Sequence, residues 1–267
     1  MGRVRSYFSD HQWPGERRRL TLLEERYDPG TIRRVVGIGI TRGWSCLEVG
    51  AGAGSIARWL ADRVGSTGRV VATDLDIYFL EDAAAVNLEV WRHDVTRDPL
   101  PTGEFDLVHV RWLLDLLPDR EASIEKLIAA LKPGGCLLVE EPDMFPAAAQ
   151  SSEAYHRLME ATAALLQSAG TDHQWARTLP TILTAAGLIG VGAEADVDIC
   201  QGGSPMAECR QLGLAQLREA LLQTDLITEV EFNNGAACLS DSGHWLMDLA
   251  SVAAWGQKPS SLIPWTQ

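Results

Sequence analysis

The residues with the clearest chemical meaning are three alternating glycines in the run LEVGAGAGS, residues 47–55. The apolar residues before them predict a buried strand that carries one acid, Glu48, and the residues from Ser55 onward have the pattern of a helix. Glycine has no side chain that would hold a ligand away, so such a turn lets the main chain approach a nucleoside closely. In a parallel sheet this turn lies at the carboxyl ends of the strands, where ligands bind. The run therefore predicts a nucleoside-containing ligand.

Two nucleoside-binding interpretations differ in the spacing of the glycines. A dinucleotide fingerprint has the spacing G-x-G-x-x-G, but counted from Gly50 the sixth residue is Ser55, and the third glycine, Gly54, comes one residue early. A dinucleotide also brings a pyrophosphate, which needs a helix N-terminus aimed at it. With Glu48 two residues before Gly50, the run resembles motif I of class I S-adenosylmethionine-dependent methyltransferases. That cofactor has a sulfonium, an ammonium and no phosphate, which suits an acid and bare peptide groups; a turn without a ligand is the remaining alternative.

Four later segments fit the same resemblance in order and spacing. Most combine an apolar run, typical of a buried parallel strand, with a polar residue at its end. Any one of them is a weak indication, whereas the ordered set over residues 44–143 is a strong one. They are Arg69–Thr73 before Asp74, Leu88–Arg92 before Asp94, Phe105–Arg111, and Leu131–Val139.

The resemblance also implies roles for residues at the strand ends. It assigns the two ribose hydroxyls of the cofactor to Asp74 and leaves Asp76 as a solvated turn residue or helix cap. It assigns the adenine amino group to Asp94, beside a main-chain amide that meets the ring. The implied cofactor-binding residues are Glu48, Gly50, Ala51, Gly52, Asp74, Leu75, Asp94, Val95 and Arg111.

The order of elements predicts an α/β fold. Ile56, Leu60 and Val64 recur at four-residue spacing and form an apolar stripe on a helix that Ser55 can cap. Asp119 can cap a later helix. Alternating strands and helices, with strands too apolar to be buried on one side only, require a parallel sheet covered on both faces. We expect a doubly wound, mostly parallel seven-stranded sheet, the Rossmann-like class I methyltransferase fold, with helical lid elements.

The segments outside the core predict helices that select the substrate, because excursions near the carboxyl ends of strands carry function. In the N-terminal segment the run DPGT, residues 28–31, is expected to end one helix and start another. The predicted parts are an N-terminal helical lid (1–43), a cofactor-binding α/β core (44–143), helices with strand six (144–203), a helical insertion that forms a substrate lid (204–243), and the last strand with a tail (244–267).

Composition excludes several classes of function. The chain has 267 residues, and its 36 acidic and 23 basic residues give a net charge of −13 at pH 7. Since nucleic-acid binding depends on Lys and Arg that neutralise phosphates, nucleic acid is not an expected partner. No apolar run approaches the roughly 18 residues of a membrane helix, and no His or Cys cluster has metal-ligand spacing. We therefore expect a cytoplasmic protein with a small-molecule substrate, without a membrane or metal partner; its oligomeric state stays open.

Methyl transfer needs few catalytic side chains, because it is an in-line displacement that depends mainly on alignment and exclusion of water. Leu116 stands where relatives often carry a histidine, so any role of that histidine is missing here. A base remains useful if the acceptor is a hydroxyl or a protonated amine. The catalytic residues are unknown. The first candidates for a base are His156 and His173, followed by His109 in a core strand; a surface or packing role is the alternative for each.

Four residues are candidates for contact with the methyl acceptor. Trp13, Trp112 and Trp175 fall in segments that can line a flat apolar pocket or face the sulfonium through a cation–π contact, although tryptophan is more often part of a core. Asp143 belongs to the run EEPD, residues 140–143, at the end of the fifth strand. A turn with solvated charges is the alternative for these acids.

The chain as a whole resembles small-molecule methyltransferases of bacterial specialised metabolism, including the runs DPGT and AWG at residues 28–31 and 254–256. The resemblance implies S-adenosylmethionine-dependent methyl transfer to O, N or an electron-rich C of a small aromatic or polycyclic metabolite, in natural-product biosynthesis. The alternative is a cofactor-binding scaffold of the same fold that catalyses a non-methylating reaction or acts as a partner protein. A nicotinamide oxidoreductase is a third possibility, weakened by Ser55 at the sixth motif position.

Overall fold

Seven strands form one sheet in the computed structural model, which describes residues 13–83, 85–150, 152–172 and 174–260. The sheet order is β3-β2-β1-β4-β5-β7-β6. The pairs β1–β2, β1–β4, β2–β3 and β4–β5 are all parallel, so the predicted doubly wound, mostly parallel sheet is confirmed. The strands are β1 (Ser45–Val49), β2 (Arg69–Asp74), β3 (Leu88–Arg92), β4 (Phe105–Arg111), β5 (Leu131–Asp143), β6 (Ile189–Gln201) and β7 (Trp245–Gln257).

The central strands are buried along nearly their whole length, as their apolar sequences predict for a sheet covered on both faces. In the register of the sheet, Glu48 of β1 lies beside Ala72 of β2 on one side and His109 of β4 on the other. Because β1, β2 and β4 are parallel, their carboxyl ends meet at one edge of the sheet. That edge carries the predicted site residues.

Helices connect the strands, and their caps test the sequence reasoning directly. Asp119 accepts a hydrogen bond from Ala122 N at 3.0 Å, which confirms the predicted cap. The predicted cap at Ser55 is wrong, because Gly54 occupies the N-cap with φ 82° and supplies no side chain. The helices of the described residues are α1 (Glu16–Ile38), α2 (Ser55–Val64), α3 (Arg120–Ala130), α4 (Phe145–Ala148), α5 (Glu153–Ser168), α6 (Leu179–Ala185), α7 (Pro205–Leu222) and α8 (Glu229–Cys238).

Helix α1 is continuous through residues 28–31, so the predicted break there is wrong. Pro29 lies inside it, and an interior proline costs about 3 kcal/mol because it lacks an N–H and clashes with the preceding turn. Contacts made by the residues around it offset that cost. Asp28, Thr31 and Arg34 all bond to side chains of strands β4 and β5. Tertiary contacts outweigh the local preference that the sequence alone displays.

The chain separates into two compact units. The sheet unit comprises Asp28–Glu141, Ala176–Glu194 and Val252–Gln267, and the helical unit comprises Met1–Tyr27, Pro142–Trp175 and Ala195–Ser251. Helix α1 and strands β5, β6 and β7 contribute residues to both. The five-part division expected from the sequence stays a prediction.

In the sheet unit, one apolar core covers a face of strands β1 and β2. The predicted stripe of α2, Ile56, Leu60 and Val64, is buried in it, with 3%, 0% and 0% of each residue exposed. Val35 of α1 joins the same core. At about 25 cal/mol per Å² of apolar surface, burial of this kind holds α2 against the sheet directly after the glycine turn.

In the helical unit, α5 and α8 pack closely because a glycine lies at their contact. A Cβ on Gly235 would come within 2.7 Å of the Leu158 Cβ. The unit also buries one ion pair, in which Arg210 Nε and Nη2 donate to Asp248 at 2.5 and 2.9 Å and Nη2 also donates to Tyr27 Oη at 3.1 Å. Within the described residues, no helix combines the length and apolar character needed to cross a bilayer.

Candidate functional site

The glycine turn after β1 has a backbone that only glycine adopts without strain. Gly50, Gly52 and Gly54 have φ values of 72°, 55° and 82°, all in the left-handed region. The N–H groups of Gly50 and Ala51 donate to Thr73 O at 2.8 and 3.0 Å. The turn is thereby held against the end of β2, with bare peptide groups at the carboxyl edge of the sheet.

Asp74 lies directly against this turn. Its Oδ2 accepts a hydrogen bond from Gly52 N at 2.9 Å, and its Oδ1 accepts one from Asp76 N at 3.1 Å. Asp76 in turn accepts one from Tyr78 N at 3.1 Å, which is the local turn role expected of it. A carboxylate offers about four acceptor sites, and these two bonds orient Asp74 against the glycine turn. The structure thus brings Gly52 and Asp74 together across 22 residues of chain.

The segment after β3 is joined to the same edge. His93 N donates to Asp74 O at 2.9 Å. Asp94 accepts hydrogen bonds from Thr96 Oγ1 at 2.5 Å and Thr96 N at 2.9 Å, and these bonds lower the pKa of Asp94. Asp94 is therefore ionised and forms a turn; its expected contact with adenine stays a prediction. Of the neighbouring predicted residues, Leu75 is 51% exposed and Val95 is buried.

A loop after β4, residues 112–116, lies against the first glycine and is called the β4 loop below. Trp112 has φ 56°, the one positive φ recorded among the described non-glycine residues. A Cβ on Gly50 would come within 3.0 Å of Leu113 Cδ2, closer than nearly all real contacts. Gly50 is therefore favoured by its own φ, and a Cβ there would also crowd the Leu113 side chain.

Three ionisable side chains meet beneath this edge, on adjacent strands β1, β4 and β5. His109 Nδ1 lies 2.6 Å from Glu48 Oε2, and His109 Nε2 lies 3.0 Å from Glu140 Oε2. Burial alone would lower the pKa of His109, but the charge of Glu48 and the hydrogen bonds to both carboxylates raise it to about 9. Burial alone would raise the pKa of Glu140, but the bond to His109 and its charge lower it to about 2. At neutral pH His109 is therefore an imidazolium, held between Glu48 and the ionised Glu140.

The protonation of this cluster affects the roles predicted for His109 and Glu48. A group that already holds its proton at neutral pH does not accept another, so the geometry does not favour His109 as a base. Glu48 is 4% exposed and bonds to His109, and its expected contact with the cofactor stays a prediction. Sequence reasoning listed both residues but did not foresee that they touch.

The same cluster extends into helix α1 through residues that sequence reasoning missed. Arg34 Nη1 donates to Glu140 Oε1 at 2.5 Å, and Thr31 Oγ1 donates to Glu140 Oε2. Arg111 donates to Thr31 Oγ1 at 2.9 Å and to Asp28 Oδ1 at 2.8 Å, and its expected contact with the cofactor stays a prediction. The only local signal was that Asp28, Thr31 and Arg34 recur at three-residue spacing, which places them on one helix face.

Glu141, next in sequence, faces a different environment. Its Oε1 accepts hydrogen bonds from Leu113 N at 3.2 Å and Leu114 N at 2.8 Å, and its Oε2 accepts one from Asp115 N at 3.4 Å. Burial raises the pKa of Glu141 well above its ordinary value, and the nearby Asp115 raises it further; burial also raises the pKa of Asp115 to about 6. Glu140 and Glu141 are both fully buried, so a solvated turn, the alternative considered for these acids, is wrong for both.

The remaining base candidates are His156 and His173. His156 belongs to α5 of the helical unit, where its Nε2 lies 3.3 Å from Glu160 Oε1 and its side chain is 38% exposed. It lines a surface groove of about 520 Å³ together with Arg157 and Glu231. His173 lies outside the described residues.

The predicted acceptor contacts divide between the units. Trp112 belongs to the sheet unit, whereas Trp13, Asp143 and Trp175 belong to the helical unit. Asp143 is nearly buried and accepts a hydrogen bond from Phe145 N at 2.8 Å. Trp13 O accepts one from Glu16 N at the start of α1. Asp143 and Trp13 therefore have local structural roles. Contacts of the four residues with a methyl acceptor stay predictions.

Comparison with known proteins agrees with the geometry of this edge. Residues 46–135 match a family model described as a methyltransferase domain. Over 111 residues the chain is 31% identical to the ubiquinone/menaquinone biosynthesis C-methyltransferase UbiE of Pseudomonas putida, which covers 39% of this chain and 43% of that protein. UbiE of Laribacter hongkongensis is 34% identical over 110 residues, 39% of this chain and 45% of that protein. The chain thus matches less than half the length of these relatives.

Solved structures share the fold over more of the chain. Phosphoethanolamine N-methyltransferase 2 of Haemonchus contortus, in complex with phosphomonomethylethanolamine and S-adenosylhomocysteine, aligns with a TM-score of 0.60 at 15% identity, over 96% of this chain and 60% of that one. A candidate methyltransferase of Bacillus halodurans aligns with a TM-score of 0.52 at 19% identity, over 85% of this chain and 98% of that one.

The sheet order, the glycine turn and the family match define one class of domain. Residues 46–135 match a methyltransferase domain and lie in a sheet of the Rossmann-like class I methyltransferase fold, whose members use S-adenosylmethionine. The resemblance expected from the sequence is confirmed at this level.

Proposed function

We propose that the protein is an S-adenosylmethionine-dependent methyltransferase that acts on a small molecule. The observation that carries the proposal is the Gly52–Asp74 contact, which sets a carboxylate beside bare peptide groups at the carboxyl edge of a parallel sheet. Such an edge is where doubly wound sheets bind nucleosides. The left-handed glycines and the close approach at Gly50 fit a cofactor that lies against the main chain.

In this proposal the cofactor supplies an activated methyl group on a sulfonium, and the chain's own residues bind and orient it. Asp74 would accept the ribose hydroxyls, Asp94 with the Val95 segment would hold the adenine, and the main chain from Gly50 to Gly52 would bind the rest of the cofactor. We assign no base, since alignment and exclusion of water supply most of what methyl transfer requires.

We further propose that the acceptor is an oxygen, a nitrogen or an electron-rich carbon of a small aromatic or polycyclic metabolite in natural-product biosynthesis. The similarity to two UbiE C-methyltransferases supports an aromatic carbon among these acceptors. The net charge of −13 supports a small molecule over a nucleic acid, since phosphates would be repelled.

The first test is binding of S-adenosylmethionine and S-adenosylhomocysteine by calorimetry. Asp74→Ala removes acceptors of charge-assisted hydrogen bonds, each worth about 1.5–3 kcal/mol, so affinity should fall by at least about tenfold. Asp76→Ala is the matched control and should change affinity little. Failure of the wild type to bind either ligand would end the proposal, and equal effects of the two variants would show that the wrong acid is assigned.

Turnover separates an enzyme from a scaffold of the same fold. We expect release of S-adenosylhomocysteine when the protein is given S-adenosylmethionine and a panel of hydroquinones, catechols and aromatic amines. Tight cofactor binding without release across such a panel would favour the scaffold, which keeps the site without transferring a methyl group.

A further inference from the structure

The β4 loop holds a conformation that its own residues do not favour. Trp112 is bulky, and its φ of 56° is in the left-handed region that side chains rarely adopt. Such a backbone persists only where surrounding structure imposes it, and it is commonest at functional sites. Contacts with neighbouring residues must therefore keep this loop in place.

A buried carboxyl group holds it. Glu141 receives the N–H groups of three consecutive residues, Leu113, Leu114 and Asp115, and none of its surface is exposed. The loop is also tied at its ends. Trp112 N donates to Glu140 O at 2.8 Å, and Arg120 Nη2 donates to Asp115 O at 2.8 Å. Few other conformations of the loop would satisfy all of these groups away from water.

The β4 loop in turn lies against the glycine turn after β1. Leu113 Cδ2 lies 3.0 Å from the position that a Cβ on Gly50 would occupy. Gly50 and the next residue donate to Thr73 O, and Gly52 donates to Asp74. Because these contacts are contiguous, a shift of Leu113 is transmitted to the main chain that faces the cofactor.

We propose that Glu141 is a positioning residue for the cofactor site, which fixes the β4 loop through three main-chain amides and thereby sets Leu113 against Gly50. The inference rests on the proposed function, since it concerns the same site. Glu141 acts through the loop and does not itself contact the cofactor.

The chemistry of the side chain explains why glutamate suits this place. A carboxyl group presents two acceptor oxygens to the three amides, whereas a glutamine presents one oxygen and an NH2 group that would face other donors. Glu141→Gln keeps the size of the side chain and removes this match. Asp106→Asn is the matched control, because Asp106 also accepts a main-chain N–H, from Ser45 at 2.7 Å, but at the opposite end of β4.

The test measures two properties of the full chain, amide hydrogen exchange by mass spectrometry and the Kd for S-adenosylhomocysteine by calorimetry. Glu141→Gln should speed exchange in residues 112–116 while β4 stays protected. It should weaken S-adenosylhomocysteine binding by roughly tenfold, the lower end of the loss caused by removing a group that orients a metal ligand. Asp106→Asn should change neither property at this edge.

Leu113→Ala separates positioning from general loss of structure. It keeps all three main-chain amides on Glu141, so the loop should stay protected while affinity falls about as much as in Glu141→Gln. Combined in one chain, the two changes should weaken binding no more than either does alone, because they act through one contact. Additive losses would overturn the proposal.

Other results of these experiments also test the proposal for Glu141. A folded Glu141→Gln protein with wild-type exchange in the loop, or with wild-type affinity, would overturn the inference. If Glu141→Gln does not fold, unchanged affinity in Leu113→Ala overturns it and a tenfold loss supports it. If the wild type does not bind S-adenosylhomocysteine, the positioning proposal fails with the proposed function, and the exchange arm then reports separately whether Glu141 holds the loop.

Discussion

Glu140 and Glu141 are consecutive residues of β5, and neighbouring residues of a strand face opposite sides of a sheet. Both are fully buried. Glu140 meets the cations His109 and Arg34, and its pKa falls to about 2. Glu141 meets main-chain amides beside Asp115, and its pKa is raised well above the ordinary value. Burial is common to both, so the partners decide: full positive charges offset the loss of hydration, and amide dipoles next to a second acid do not.

The two sides therefore serve the site differently. The Glu140 side is an ionised network that ties helix α1 to strands β4 and β5 and keeps its charges over a wide pH range. The Glu141 side is a pair of acids whose protonation responds to pH nearer neutrality. Substitutions on the two sides should therefore differ in their cost and in their pH dependence.

Glu140→Gln should cause the largest loss of stability. It leaves Arg34 and His109 buried with one acidic partner fewer each, although Arg34 keeps Glu194 and His109 keeps Glu48; removing one partner of a buried ion pair costs about 3–5 kcal/mol. We expect the free energy of unfolding at pH 7 to fall by that amount in urea denaturation. Glu89→Gln is the control, since Glu89 pairs with Arg69 at 2.7 Å with 48% of its side chain exposed, and should cost about 0–1 kcal/mol. Equal losses would mean that burial of the pair is unimportant.

Alkaline pH should weaken the same network through His109. Its folded pKa of about 9 exceeds the ordinary 6.5, so the stabilisation is complete below pH 6.5 and is lost as the pH rises through about 9. At 1.36 kcal/mol per pKa unit, wild type should lose up to about 3 kcal/mol relative to His109→Gln over this range. His244→Gln, which removes a half-exposed partner of Asp241, should show no such slope. If the difference in unfolding free energy between wild type and His109→Gln does not change with pH, His109 is not an imidazolium at neutral pH.

Glu141→Gln should show a pH dependence opposite to that of Glu140→Gln. The folded pKa of Glu141 is raised, so its contribution is present below its ordinary pKa of 4.5 and is lost as the pH rises through the folded value. The cost of Glu141→Gln, about 1–3 kcal/mol near pH 5, should therefore shrink as the pH rises. For Glu140 the folded pKa is lowered, so the cost of Glu140→Gln should shrink only as the pH falls from 4.5 toward 2. If urea denaturation shows that the costs of both substitutions change with pH in the same direction, the contrast between Glu140 and Glu141 is refuted.

Asp115→Asn should have the smallest effect on stability, under about 1 kcal/mol at pH 7, because it removes one of two competing acids. It should also lower the pKa of Glu141, since the repulsion from Asp115 is gone. Infrared spectroscopy checks this directly: the C=O band of a protonated carboxyl group, observed in the wild type as the pH is raised toward neutrality, should disappear at lower pH in the variant. A band that persists to the same pH would show that burial alone raises the pKa.

Local patterns of the sequence determined most of the fold and the cofactor turn. Strands β1, β2 and β4 follow from continuous apolar runs, and the stripe of α2 follows from four-residue spacing. The glycine turn could be recognised because its requirement, a left-handed backbone at Gly50, Gly52 and Gly54, is met by residue type alone. The position of Asp74 followed from the end of an apolar run. Each of these depends on interactions between near neighbours in the chain.

Tertiary structure alone decided which charged residues meet. His109 and Glu48 are 61 residues apart, and Arg34 and Glu140 are 106 apart, so no local pattern could pair them. The same long-range bonds keep α1 helical through Pro29, where local preference predicted a break. The contrast between Glu140 and Glu141 has the same origin: two identical neighbours in sequence face opposite sides of a strand, and the pKa of a buried acid depends on the charges that the fold brings to each side.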